Sequence, residues 1–305
     1  MVVSDFLPNL LIIGAAKSGT TALHEYLDQH PQIFMSRPKE PRFFLVWDNP
    51  EQIRQNIEHK QPKFNAYDTI EKYCSLFEKG RNAKIRGESS PQYLLYPHCA
   101  EKIKELIPEV KIVAVLRHPA DRAFSQYQMH KKWGIESKSF DEVLEEEMNG
   151  FRRSYPLDIQ YLESGKYGKQ LEVYLKMFNR NQLQLFFYED FQVNPSAILK
   201  KIFQFLQIDD GFIPDSLIEH NVSRVARFSK FPVIDRSLSV VQKIFRRLKI
   251  HSIANNINDH RFYKPGLSSC LREKIGSYFD EDITKLESLL TIDLSAWKYD
   301  HYYHS

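Results

Sequence analysis

The chain has 305 residues, 42% of them hydrophobic and 27% charged, with a formal net charge of +3. That is enough sequence to bury a full core. The charge is too small to hold a nucleic acid by electrostatics alone, though it leaves room for a local basic cleft around an anionic ligand. Cys74, Cys99 and Cys270 lie far apart without metal-ligand spacing. An odd, sparse count suits free thiols in a reducing compartment, and all three are expected to be packing residues. Met1 to Pro8 carries no basic n-region, and the apolar run Leu10 to Ile13 is too short for a signal peptide or a membrane span. The expectation is a cytoplasmic enzyme of one domain, 1–305, whose part from about 212 supplies acceptor-side and donor-covering elements.

In chain order, Leu10-Leu-Ile-Ile-Gly-Ala-Ala-Lys-Ser-Gly-Thr-Thr21 reads as a buried strand, a turn between two glycines, and a helix start. An anion at a helix N-terminus needs free backbone N–H groups, glycines that allow close approach, and a nearby cation. Gly14, Gly19 and Lys17 supply the last two, and Ser18, Thr20 and Thr21 add hydroxyls. The nucleotide P-loop G-x-x-x-x-G-K-[ST] has its lysine directly after the second glycine. Here Thr20 stands there and the lysine lies inside the loop. The turn is therefore expected to hold phosphate without being an ATPase.

Leu23, Tyr26 and Leu27 continue a helix that ends before Pro31, with His24 and His30 as packing or surface residues. Arg37 to Phe44 holds two prolines and is expected to be an irregular, charged loop anchored by Phe43 and Phe44. Residues 51–80 tend to helix. Ala83 to Tyr93 reads as a short strand running into a turn, with Glu88, Ser89 and Ser90 exposed at its end, followed by a helix over Glu101 to Leu106. Val110 to Arg117, nearly all apolar and β-branched, has the pattern of a central parallel strand. In an open parallel sheet ligands bind beyond the carboxyl ends of the strands, which puts Arg117 and Ser125 on the same edge as Lys17. A helix over about Lys169 to Phe178, a strand over Gln182 to Tyr188 and a helix over Pro195 to Leu206 complete a three-layer α/β pattern with a parallel sheet. Residues 236–256 read as a basic amphipathic helix. It suits a membrane or polyanionic surface, but a helix that covers the core and solvates its basic face is the commoner case and is preferred. Arg261 to Ser268 is a loop with two cations, and a long helix to Leu290 and Trp297 follow.

Three motifs in order then resemble the sulfotransferases that use 3′-phosphoadenosine 5′-phosphosulfate (PAPS), particularly the heparan sulfate branch and its bacterial relatives. G-x-x-K-x-G-T-T falls on Gly14 to Thr21, K-E-P-x-F-F on Lys39 to Phe44, and an Arg-x-Pro strand end with a following serine on Arg117, Pro119 and Ser125. The resemblance covers most of the chain and implies a P-loop-like fold and a PAPS donor, with adenosine 3′,5′-bisphosphate (PAP) as product and no metal requirement. It implies that Lys17, Ser18, Gly19, Thr20 and Thr21 hold the 5′-phosphate end, that Arg117 and Ser125 grip the 3′-phosphate, and that Glu40 is the general base. Lys39, Arg42, Glu88, Ser89 and Ser90 become acceptor-side candidates, with Ser89 replacing a family lysine. Arg261 and Lys264 stand where the family closes a loop over the donor, and Arg224, Arg227 and Phe228 are placed beside the adenine. The expected acceptor is a glycan or small molecule. A P-loop metabolite kinase, or a silent glycan- or membrane-binding relative, are the competing readings.

Overall fold

A computed structural model of the protein describes residues 6–47, 67–215, 225–226, 262–263, 267 and 269–298. Chain contacts divide it into two units, Met1–Asn221 with Ser269–Ser305, and Val222–Ser268. In the second, the described residues form a two-stranded antiparallel pair, Val225–Ala226 with Phe262–Tyr263. Arg224, Arg227, Phe228, Arg261, Lys264 and the helix expected over 236–256 lie outside the described residues.

The first unit is built on a five-stranded parallel sheet in the order β2-β3-β1-β4-β5. Its strands are β1 (Leu10–Gly14), β2 (Ile33–Met35), β3 (Ile85–Ser89), β4 (Lys111–Leu116) and β5 (Leu183–Phe187). Leu10 pairs with Gly87 on one side and Lys111 on the other, so β1 is central. That position explains its unbroken apolar run: a strand with both faces covered has no polar side to show.

Successive side chains of a strand point to opposite faces. Leu10 and Ile12 of β1 and Val113 and Val115 of β4 join one core with helices Thr20–Asp28, Tyr188–Val193 and Pro195–Phe205. The short helix Gln92–Leu95 packs on β1, and Tyr167–Met177 packs against it, with His98–Leu106 and Ser269–Leu290 alongside. Leu10, Leu11, Ile12 and Ile13 are fully buried, each contributing roughly 1.5–3 kcal/mol relative to exposure.

Most elements fall within two residues of their expected ends. One difference lies at Phe43–Val46, which forms a helical turn instead of irregular loop. All four residues are buried, and Phe43 stacks on Tyr73 at 4.2 Å between ring centroids. The two prolines precede this turn, so neither interrupts it. Among the described residues, no helix is long and apolar enough to cross a membrane.

Candidate active site

The site is assembled at the carboxyl ends of β1, β3 and β4. Between β1 and helix Thr20–Asp28 the chain turns through Lys17 at φ 71° and Gly19 at φ 82°, both left-handed. A left-handed residue between right-handed ones lets successive N–H groups converge on one anion. The helix start has no side-chain cap and no acidic residue in its first turn. Its N–H groups and the positive end of its dipole are therefore available to a ligand. Ser18 is fully buried, and its Oγ has no hydrogen-bond partner within the protein. A Cβ on Gly19 would lie 3.1 Å from the Tyr188 ring, so both the positive φ and the close ring call for glycine.

Lys17 Nζ donates to Met129 Sδ at 3.3 Å, a weak acceptor. Burial, and next the charge of Arg117, lower its pKa to about 8, while Glu40 acts in the opposite direction. Lys17, Arg117 and Glu40 thus share one electrostatic field. Arg117 directly follows β4; it donates through one guanidinium nitrogen to the Lys17 carbonyl at 3.1 Å and lies 4.7 Å from the centroid of the Tyr188 ring. Ser125 sits half-buried on helix Pro119–Lys132, Thr20 is buried at the first helical position of the loop, and Thr21 is half-buried beside it.

Glu40 is also left-handed, at φ 61°, as is Arg42 at φ 56°. For residues with a Cβ each such conformation costs about 1–2 kcal/mol, which the surroundings must outweigh. Glu40 N donates to the Ser89 carbonyl at 3.1 Å and Arg42 N to Ser90 Oγ at 3.1 Å. Lys39 Nζ reaches Glu40 Oε1 at 2.7 Å, and Arg42 reaches Oε2 at 2.8 Å. Burial alone would raise the Glu40 carboxyl, but these two cations outweigh it and hold the pKa at about 2.

At Glu88, Ser89 and Ser90 the structure departs from the sequence expectation: all three are fully buried rather than exposed. The cause is the 37–46 segment, which folds back over the end of β3 and donates backbone hydrogen bonds to it. Ser89 Oγ shares a 2.9 Å hydrogen bond with His24 Nδ1, and burial keeps that imidazole neutral, with a pKa of about 4. His24 and His30 are both buried, which makes them packing rather than surface histidines.

Several residues at this edge carry no motif and are not found from the sequence. Tyr188 lies under Gly19 and Arg117, and its place directly after β5 is the available signal, by the rule that ligands gather at strand ends. Buried Arg122 donates to Gln126 Oε1 and to the Tyr161 carbonyl, and with Gln92 and Asp158 it lines a small cavity beside Ala15 and Ala16. Among the described residues no cluster of three His, Cys, Asp or Glu side chains has a metal-holding arrangement.

The sulfotransferase domain family matches residues 7–286. Over 172 residues the chain is 30% identical to a membrane-associated sulfotransferase, kil1, of Dictyostelium discoideum, a match covering 54% of this chain and 33% of that protein. Over 211 residues it is 30% identical to the human bifunctional heparan sulfate N-deacetylase/N-sulfotransferase 2, covering 67% of this chain and 22% of that protein. The chain therefore aligns with a third or less of these relatives' lengths. A crystal structure of a sulfotransferase from Alicyclobacillus acidocaldarius superposes with a TM-score of 0.73 at 29% identity, covering 96% of this chain and 99% of the other. With its parallel sheet, its strand-turn-helix loop and this match along most of its length, the chain belongs to the sulfotransferase domain family.

Proposed function

We propose that the protein transfers a sulfuryl group from PAPS to a hydroxyl or amine of a carbohydrate, glycolipid or small hydroxylated metabolite. The observation that carries this is the loop itself: an uncapped helix start, a buried Ser18 hydroxyl without a protein partner, and a lysine, Lys17, in the same turn. Those groups fit a phosphate oxyanion. PAPS supplies an activated sulfur whose bond to the bridging phosphate oxygen is cleaved.

The chain's own residues do the rest. Ser18 Oγ and the N–H groups of the Thr20–Asp28 helix start hold the 5′-phosphate. Lys17 neutralises charge building on the bridging oxygen as the sulfur–oxygen bond breaks. Arg117 and Ser125 are assigned to the 3′-phosphate that distinguishes this donor from ATP. Glu40 takes the acceptor proton as the acceptor oxygen or nitrogen attacks sulfur in line.

A carboxylate at about 2 is a weak base. Its low value comes from Lys39 and Arg42, the same cations that a sulfonate would attract. When they turn to the transferring group, Glu40 loses its two partners and its basicity rises. Lys39 and Arg42 thereby couple donor engagement to base strength.

Transfer of labelled sulfate from PAPS to a panel of hydroxylated and amino acceptors tests the reading. Glu40→Gln is expected to abolish transfer while leaving the dissociation constant of PAP within about twofold, because its amide keeps the shape and loses the proton acceptor. Loss of PAP binding together with turnover would make Glu40 a structural residue and overturn the assignment.

A further inference from the structure

We infer that Glu88 is a positioning residue: its buried carboxylate orients the hydroxyls on which the Lys39 to Phe44 segment docks, and through them it fixes Glu40 and Arg42. Tyr73 OH donates to Glu88 Oε1 at 3.1 Å, and Ser90 Oγ donates to Oε2 at 2.8 Å. Tyr93 OH hydrogen-bonds to the same carboxyl. An ionised carboxylate only accepts, so each hydroxyl that faces it commits its single proton inward. The lone pairs of those hydroxyls then point outward, where donors can use them.

The donors are backbone N–H groups of the segment that carries Glu40. Ser90 Oγ accepts from Arg42 N at 3.1 Å, and Tyr93 OH accepts from Phe44 N at 3.4 Å. Tyr73 completes the platform by stacking on Phe43 with the ring planes 8° apart. The two docked amides, of Arg42 and Phe44, lie at the start of the Phe43–Val46 turn, directly after left-handed Glu40 and at left-handed Arg42. A single carboxylate thus dictates the polarity of both contacts. Amide replacement scrambles that polarity, because the NH₂ group donates to an oxygen that must then give up its proton or its outward lone pair.

Burial pushes the Glu88 carboxyl up to about 7, against the pull of Tyr93, Ser90 and Tyr73, while Glu40 adds a raising charge. Cys99 and Tyr174 are the further titratable groups that feel its charge. The accepting, ionised form prevails above neutrality, and protonation turns the carboxyl into a donor that competes with its own hydroxyls.

The catalytic consequence rests on the reading of Glu40 as base; the docking does not. The test is hydrogen exchange by mass spectrometry on the full-length chain, in wild type, Glu88→Gln and Ser90→Ala. Exchange in a peptide spanning residues 37–46 is expected to rise about tenfold in both variants, while a peptide spanning β1 is unchanged. In Glu88→Gln, kcat falls with the PAP dissociation constant retained. Unchanged exchange at 37–46 in both variants overturns the inference, whatever turnover does. Full turnover in Glu40→Gln removes the base reading alone, and exchange still decides the docking. Should Glu88→Gln lose its native thermal transition, exchange in Ser90→Ala decides alone, since that variant breaks the Arg42 contact from the other side.

Discussion

Lys17 offers the sharpest handle on the donor loop, because its pKa near 8 brings its charge change into an accessible range. Burial and then Arg117 depress it in the free protein. A bound phosphate supplies the opposing charge and raises it, so binding takes up a proton, and affinity must fall as pH rises through the free-protein pKa. From about pH 7 to about pH 9.5 the ammonium fraction at a pKa of 8 drops from roughly nine-tenths to roughly 3%, an affinity loss of about thirtyfold, or ~2 kcal/mol. PAP adds no slope of its own there, since a phosphate's second ionisation is complete above neutrality. Titration calorimetry of PAP across this range, in wild type, Lys17→Arg and Lys17→Met, is the assay. The arginine variant is expected to show a flat profile, because guanidinium does not titrate. The methionine variant is expected to bind about ten- to a hundredfold more weakly near neutrality, the worth of one charge-assisted hydrogen bond, and also to show no slope. Wild-type affinity that stays level to pH 9.5, or the same decline in Lys17→Met, refutes a Lys17–phosphate contact.

Two further substitutions test the frame that holds the loop. Gly19→Ala places a Cβ 3.1 Å from the Tyr188 ring on a backbone at φ 82°; the expected loss is about 1–2 kcal/mol, seen as a lower thermal midpoint with weaker PAP binding, and an unchanged midpoint contradicts the geometry. Asp121→Asn weakens a bidentate pair in which Arg272 donates at 2.7 and 3.1 Å, tying helix Ser269–Leu290 to helix Pro119–Lys132. Because both side chains are largely buried, about 2 kcal/mol should be lost in urea unfolding at constant m-value, and no shift in the midpoint would assign the pair no net role.

The parts of this site carried by local pattern are legible in the sequence. The apolar run into Gly14, the lysine displaced to position 17, and the β-branched strand ending at Arg117 each follow from composition and spacing within a dozen residues. The family match agrees with the sulfotransferase resemblance rather than the kinase alternative. What is not legible depends on contacts between distant segments. Lys17, Glu40 and Arg42 adopt left-handed backbone although none is glycine or asparagine. They are held there by partners far along the chain: Arg117 on the Lys17 carbonyl, 100 residues away, and Ser90 on Arg42 N, 48 residues away. Glu88 to Ser90 can be read as a strand end, but nothing within 83–93 tells which segment will cover that end. Their burial, and with it the hydroxyl platform of Tyr73 and Tyr93, emerges only once the 37–46 segment is in place.

Whether this loop is built for a sulfate donor rather than for a nucleoside triphosphate is decided most directly by calorimetric titration of the full-length chain with PAP, and separately with ATP and magnesium. PAP is expected to bind more tightly than ATP; tighter binding of ATP in the presence of magnesium would contradict the assignment of the loop to a sulfate donor.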